Sequence, residues 1–210
     1  MMFFRYGLKS VTMDDVAREL GISKKTLYQF FPTKNDLIQQ TILAHTDCEK
    51  KIFADLRTKS KDAIEEILAF AKCCIKMLSN LSPTLMYDLQ KFYPESWQLV
   101  EYLQKEHTYM DISLNMARGK EEGLYRKDVD TAVVARLYVA QSLCIVDETT
   151  FPQKEFAKEK LLMEFVLYHL RGVSTPKGLE KLAAHLGSWD KLESGNIWTN
   201  WLEWGKWENT

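Results

Sequence analysis

The sequence predicts an all-α fold, on three observations. Apolar residues recur at spacings of three and four along nearly every segment, the period of a helix with one buried face. No stretch alternates polar and apolar residues as a half-buried strand does. Five prolines and nine glycines in 210 residues are few enough to act as punctuation between helices. Apolar residues make up 46 % of the chain, so a sizeable core is available, and 27 % charged residues is ordinary for a globular protein. No apolar run approaches the roughly 18–20 residues of a membrane span. A signal-peptide pattern is absent, so a cytoplasmic location is expected.

A short helical end is expected at Met2–Tyr6, with Phe3, Phe4 and Tyr6 covering a small core of Val16, Leu20, Leu27 and Phe31. The next helix runs over Thr12–Leu20. Thr12 is its N-cap, Asp15 completes a capping box, and Val11 and Val16 can staple across the cap. Gly21 follows directly, where a left-handed C-cap glycine belongs. Ser23 caps a helix over Ser23–Phe31, and Thr33 with Asp36 opens a long one over Thr33–Lys59. Two short capped helices joined by the tight turn Gly21-Ile22-Ser23 are the signature of a helix-turn-helix. Beyond it, helices are expected at Lys61–Asn80, Pro83–Phe92, Pro94–Glu122, Asp130–Glu148, Gln153–Arg171 and Lys177–Leu186.

The second of the paired helices begins with Lys24 and Lys25, at the end where the helix dipole disfavours cations. At 100° per residue, Leu27, Phe30 and Phe31 share one face, expected in a core. Lys25 and Gln29 lie nearly opposite, flanked by Lys24, Tyr28 and Thr26. Ammonium groups can neutralise phosphates or reach guanine edges, and glutamine can pair with adenine in a major groove. Free backbone N–H groups at the helix start add a site for phosphate. A local rule broken at one point is where function is expected. The charge balance agrees weakly. Residues 1–40 hold six Lys/Arg and four Asp/Glu, a net +2, against 22 and 25 in the rest, a net −3.

The stretch "VTMDDVARELGISKKTLYQFFPTKNDLI" closely resembles the N-terminal domain of TetR-type transcriptional regulators. The matching features are Thr12, Val16-Ala17, Gly21-Ile22-Ser23, Thr26-Leu27-Tyr28, Phe30-Phe31, and Lys34 with Leu37. The resemblance implies that Thr12, Tyr28 and Lys34 hold DNA phosphates and that Lys24, Lys25, Thr26 and Gln29 face the major groove. It covers about 30 of 210 residues; the remainder agrees only in length and helical character. The chain departs from the family before Gly7, where "MMFFRYG" leaves a turn and a half in place of a full first helix.

The expected organisation is a helix-turn-helix domain at 1–45, a helical effector-binding and dimerisation domain at 46–187, and a Trp-rich tail at 188–210. The family's mechanism implies a homodimeric repressor on a palindromic double-stranded DNA operator. Effector in the body would swing the long fourth helix and change the separation of two recognition helices. "TAVVARLYVAQSLCIV" and "FAKEKLLMEFVLYHL" are apolar round most of their circumference, so the helices near 130–148 and 153–171 are expected to form the dimer contact; one monomer's core is the competing reading. A pocket for a small apolar or aromatic effector is expected around Met77, Met86, Tyr87, Phe92, Trp97, His107, Tyr109 and Met110. Such residues at helical spacing also suit a plain core.

No enzyme motif is present: no Gly-rich phosphate loop, no HExxH, no Gly-x-Ser-x-Gly. Cys48, Cys73, Cys74 and Cys144 form no CxxC pair and have no His cluster, so reduced, buried cysteines are expected, with no metal and no cofactor. Five of six tryptophans lie at Trp189, Trp198, Trp201, Trp204 and Trp207. Packing on the body or non-native sequence is the preferred reading of that tail, over a partner-binding flap or an interfacial membrane contact. Two other functions fit the same fold: a DNA-binding structural protein without effector, and a helical interaction module that has lost DNA binding, which the short first helix would suit.

Overall fold

Caps and glycine turns place the helix ends close to where the sequence puts them. The computed structural model describes residues 2–147, 149–152 and 154–187; the expectations for the Trp-rich tail lie outside them. The helices are α1 (Met2–Tyr6), α2 (Met13–Glu19), α3 (Lys24–Phe30), α4 (Lys34–Lys59), α5 (Ala63–Ser79), α6 (Leu85–Phe92), α7 (Pro94–Glu121), α8 (Thr131–Ile145), α9 (Lys158–Val173) and α10 (Pro176–Gly187). Among the described residues there is no strand, only one isolated bridge between Tyr125 and Ser174. No helix there is long and apolar enough to cross a membrane.

Thr12 and Thr33 each accept from the backbone N–H three residues on, and Asp15 and Asp36 reach back to the cap N–H, so both capping boxes form. Asp62 caps α5 and Asp130 caps α8. The one large boundary error is α9. Gln153–Arg171 was expected, but the helix starts at Lys158. Asp147 accepts from the Thr149 backbone N–H at 3.0 Å and from the Thr150 hydroxyl at 2.7 Å. These bonds, with Pro152 after them, hold the chain in turns and delay the helix.

Two cores meet along α4, a helix of roughly 40 Å. Its first half contributes Leu37, Ile38 and Ile42 to the head core, together with Phe3, Leu8, Val11, Val16 and Leu27. Its second half contributes Leu56 to the body core, which is built largely from α5, α7 and α9. The sequence reading missed one partner. Leu85 and Leu89 of α6 belong to the head core, with Trp97 and Leu103 of α7 packed against it. The head is bonded to α6 as well as packed on it. The Ser82 N–H donates to the Phe4 carbonyl at 2.6 Å, and the Lys9 N–H to Asp88 Oδ2 at 3.1 Å. Gly7 lies between them with φ +84°, and a Cβ there would come within 2.9 Å of Thr84 Oγ1. Only glycine fits that crossing.

The far end of α4 is pinned by charge. Glu66 is fully buried; its Oε1 accepts from Arg57 Nε at 3.0 Å and its Oε2 from Arg118 Nη1 at 2.9 Å. Arg57 also reaches Asp111 at 2.6 Å, and Arg118 reaches Glu122 at 2.7 Å. The Arg118 guanidinium donates to the Arg57 and Ser60 carbonyls, satisfying acceptors that the end of α4 leaves open.

Two apolar stripes remain at the surface of the body. On α8, Val133, Leu137, Ala140 and Cys144 are exposed; on α9, Tyr168 and Gly172 are exposed and Leu161 and Phe165 half-buried. Both follow a 4-3-4 spacing, the period of a helix–helix seam. Cys144 thus departs from the expectation of buried thiols, because its position falls on the outward face. Cys48 and Cys73 are buried, and burial pushes the Cys73 thiol up to about 12, which makes it a poor nucleophile.

Candidate nucleic-acid interface

The turn that sets α3 against α2 is built by Gly21. It has φ +65°, and the Ile22 and Gly21 N–H groups bond to the Ala17 and Arg18 carbonyls at 3.0 and 3.2 Å. This is a complete Schellman closure, which only a residue tolerant of the left-handed region forms without strain. Ser23 then caps α3 by accepting from the Thr26 N–H at 3.0 Å.

One side chain anchors α3: Leu27 is 1 % exposed. The expectation that Phe30 shares its face is wrong, since Phe30 is 72 % exposed. Phe30 sits some 60° round the helix from Leu27. Phe31, at about 40° from Leu27 on the same wheel, is half-buried and ends the helix with φ −130° and ψ 93°. Leu20 and Tyr6 were also expected over the small core and are more than half exposed. Leu20 caps α2 on its outer side, and Tyr6 points off a helix of five residues. Leu27→Ala is therefore expected to cost about 2–5 kcal/mol of stability, and Phe30→Ala under about 0.5 kcal/mol. Chemical unfolding of the two variants compares them directly; equal losses would put Phe30 back in the core.

The outward residues come together as one surface. Lys24, Lys25, Tyr28 and Gln29 are exposed, and Thr26 is half-buried. Lys24 Nζ lies 2.7 Å from Asp14 Oδ1, a bond between α3 and α2 that holds the lysine above its usual pKa. That pairing partly answers why a lysine stands at a helix start. Lys25 has no such partner among the described residues. Thr12 is exposed, with its hydroxyl donating to Asp15 Oδ2 at 2.6 Å; this bond and the Thr12 N–H hold the Asp15 carboxyl below its usual range. Lys34 stands apart from the α3 face. Its ammonium donates to the Leu8 carbonyl and lies over the Phe3 and Tyr93 rings, leaving two N–H donors beyond that bond.

The eight residues expected around an effector are not gathered. Met77 is in the body core, Met86 and Trp97 pack on the head core, and Tyr109 packs on the body core. Tyr87, Phe92 and Met110 are exposed, and His107 is half-buried. A hollow of about 450 Å³ opens between α1 and α2, beside Tyr6, Ser10, Asp15 and Arg18, and contains none of the eight. A nearly closed one of about 30 Å³ lies between Leu78, Leu81, Met86 and Val146, on the seam between the cores, with room for roughly one water. Among the described residues no group of three or more His, Cys, Asp or Glu is placed to hold a metal.

Residues 1–41 match the family described as bacterial regulatory proteins, tetR family. The uncharacterized HTH-type transcriptional regulator YvaF of Bacillus subtilis is 23 % identical over 167 residues, covering 79 % of this chain and 86 % of that protein. A transcriptional regulator from Cytophaga hutchinsonii superposes with a TM-score of 0.66 at 20 % identity, over 83 % of this chain and 93 % of its own. A Saccharomonospora viridis protein solved in complex with choline gives 0.63 at 16 % identity, over 83 % and 92 %. Reduced NemR from E. coli gives 0.65 at 12 % identity, over 83 % and 92 %. At these identities the structural likeness speaks for the fold.

Proposed function

We propose that this chain, a transcriptional regulator of the tetR family, is a cytoplasmic homodimeric repressor that leaves a palindromic operator when a small molecule binds its body. The observation that carries this reading is the division of α3: one buried anchor, Leu27, with Lys25 and Gln29 opposite it and Tyr28 on the flank, all three open to solvent. In this reading Lys24, Lys25, Thr26 and Gln29 enter the major groove, while Thr12, Tyr28 and Lys34 hold phosphates. Asp14 orients Lys24, so that lysine gives up a carboxylate when it takes a phosphate.

The dimer would bury the two 4-3-4 stripes of α8 and α9 against their copies across a two-fold axis. Two α3 helices must then stand about 34 Å apart to meet successive grooves. The pinned end of α4 at Glu66 and the head at its other end make it a lever of fixed length. An effector entering the seam near Leu78, Leu81 and Met86 would wedge the head core, with its α6 staves, away from the body core. Effector and operator affinities are then linked reciprocally.

Selecting bound duplexes from fragmented genomic DNA tests the reading, followed by titration of the selected duplex with Tyr28→Phe. Loss of one phosphate hydrogen bond is expected to weaken binding about three- to tenfold, equally on matched and mismatched duplexes. A loss confined to the matched duplex would place Tyr28 on a base instead.

A further inference from the structure

Three lysines gather at the corner where the α1–α2 loop, the start of α4 and the α6–α7 junction meet. Lys34 reaches the carbonyl of Leu8, the residue before Lys9. Lys9 Nζ lies 5.0 Å from the Phe92 ring centroid. Lys91 Nζ lies 5.0 Å from the Tyr87 centroid and 5.5 Å from that of Phe92, and donates to the Tyr87 hydroxyl at 2.5 Å. Tyr87 is 50 % and Phe92 42 % exposed, and the rings meet edge to face at 6.3 Å. None of the three ammonium groups has a carboxylate within ion-pair distance among the described residues. Asp88, an acid of α6, is buried and accepts from the Lys9 backbone N–H.

Lys9 and Lys91 are exposed and Lys34 is half-buried, so three cationic side chains, held over ring faces, crowd one corner of a chain whose net charge is −1. The corner also adjoins the start of α2, whose N-cap Thr12 is exposed. Lys9 is three residues from Thr12, hence no more than about 11 Å away along the chain. A DNA strand presents a charge every 3.4 Å or so of helix axis, so about three phosphates span that distance.

We propose that Lys9 and Lys91, on their Tyr87–Phe92 platform, form a second phosphate contact that extends the α3 interface onto the duplex backbone flanking the operator. The ligand is the DNA sugar-phosphate backbone. The lysines act as point charges on phosphate, and the exposed rings hold them and pack on sugars. Base edges are not read there. This rests on the reading of the chain as an operator-binding protein and adds a footprint that α3 alone does not have.

The test uses the full chain and a Lys9→Ala/Lys91→Ala double variant, with equal unfolding midpoints as the fold control. Both are titrated over a range of salt on the selected operator with long flanks, on the same operator trimmed to its palindrome, and on a random duplex. Two lost phosphate contacts are expected to make the slope of log K against log salt shallower by about 1.8. The loss should be the same on operator and random duplex and absent on the trimmed one. An unchanged slope on the long duplex, with wild type binding normally, overturns the proposal. So does a loss confined to the operator sequence, which would mean base reading. Undiminished DNA binding with lost binding to phosphatidylserine-containing vesicles would also overturn it, in favour of a membrane surface. A wild-type chain that binds no duplex at low salt overturns the operator-binding reading first, and is distinct from each of these results.

Discussion

Leu137→Glu is expected to convert the protein to a monomer and to weaken operator binding about 10²–10⁴-fold. Leu137 is 54 % exposed in the single chain, so the change should leave the monomer's fold and unfolding midpoint nearly untouched. It shares the exposed α8 stripe with Val133, Ala140 and Cys144, which the proposed dimer would bury. A carboxylate there would be stripped of water with no partner, at a cost of several kcal/mol per copy. A homodimer carries the change twice. The operator then loses the second half-site contact, which two linked heads supply at high effective concentration. Sedimentation and operator titration at one protein concentration measure both effects. A variant that stays dimeric would move the interface off α8.

Glu66→Ala is expected to lower the stability by about 3–5 kcal/mol, a fall in Tm of roughly 6–20 °C for a chain of this size. The carboxylate is wholly buried between two guanidiniums, and removing it leaves like charges facing each other. Glu66→Gln keeps the shape and acceptor oxygen but not the charge, so its loss should be smaller. The consequence reaches beyond stability, because Arg118 also closes the carbonyl end of α4. Loosening that end should let the head move without the body, and a Glu66→Gln dimer should release operator less completely when effector binds. A Glu66→Ala Tm within about 1 °C of wild type would contradict the pin.

The head was legible because its signals are local. Two capping boxes, a Schellman glycine and a serine cap each act within six residues, and all four stand where the sequence puts them. Phe30 failed because it sits some 60° round α3 from Leu27, and a short helix anchored by one side chain buries too narrow a face to cover it. The role of α6 in closing the head core was not legible, since it joins residues some 80 apart through Asp88 and Lys9. The same holds for Glu66, whose partners Arg57 and Arg118 come from other helices. The effector residues were chosen on composition alone, and composition does not say which side of a helix meets a hollow.

The most direct test of the central claim, that the wet face of α3 reads a duplex groove, is a base-by-base substitution scan of the selected operator with wild type and Gln29→Ala. Wild type should discriminate at one symmetric pair of positions by about 1–3 kcal/mol, and Gln29→Ala should erase that preference there and nowhere else. A scan unchanged by Gln29→Ala, or a wild-type chain that retains no genomic duplex at about 50 mM salt, would contradict it.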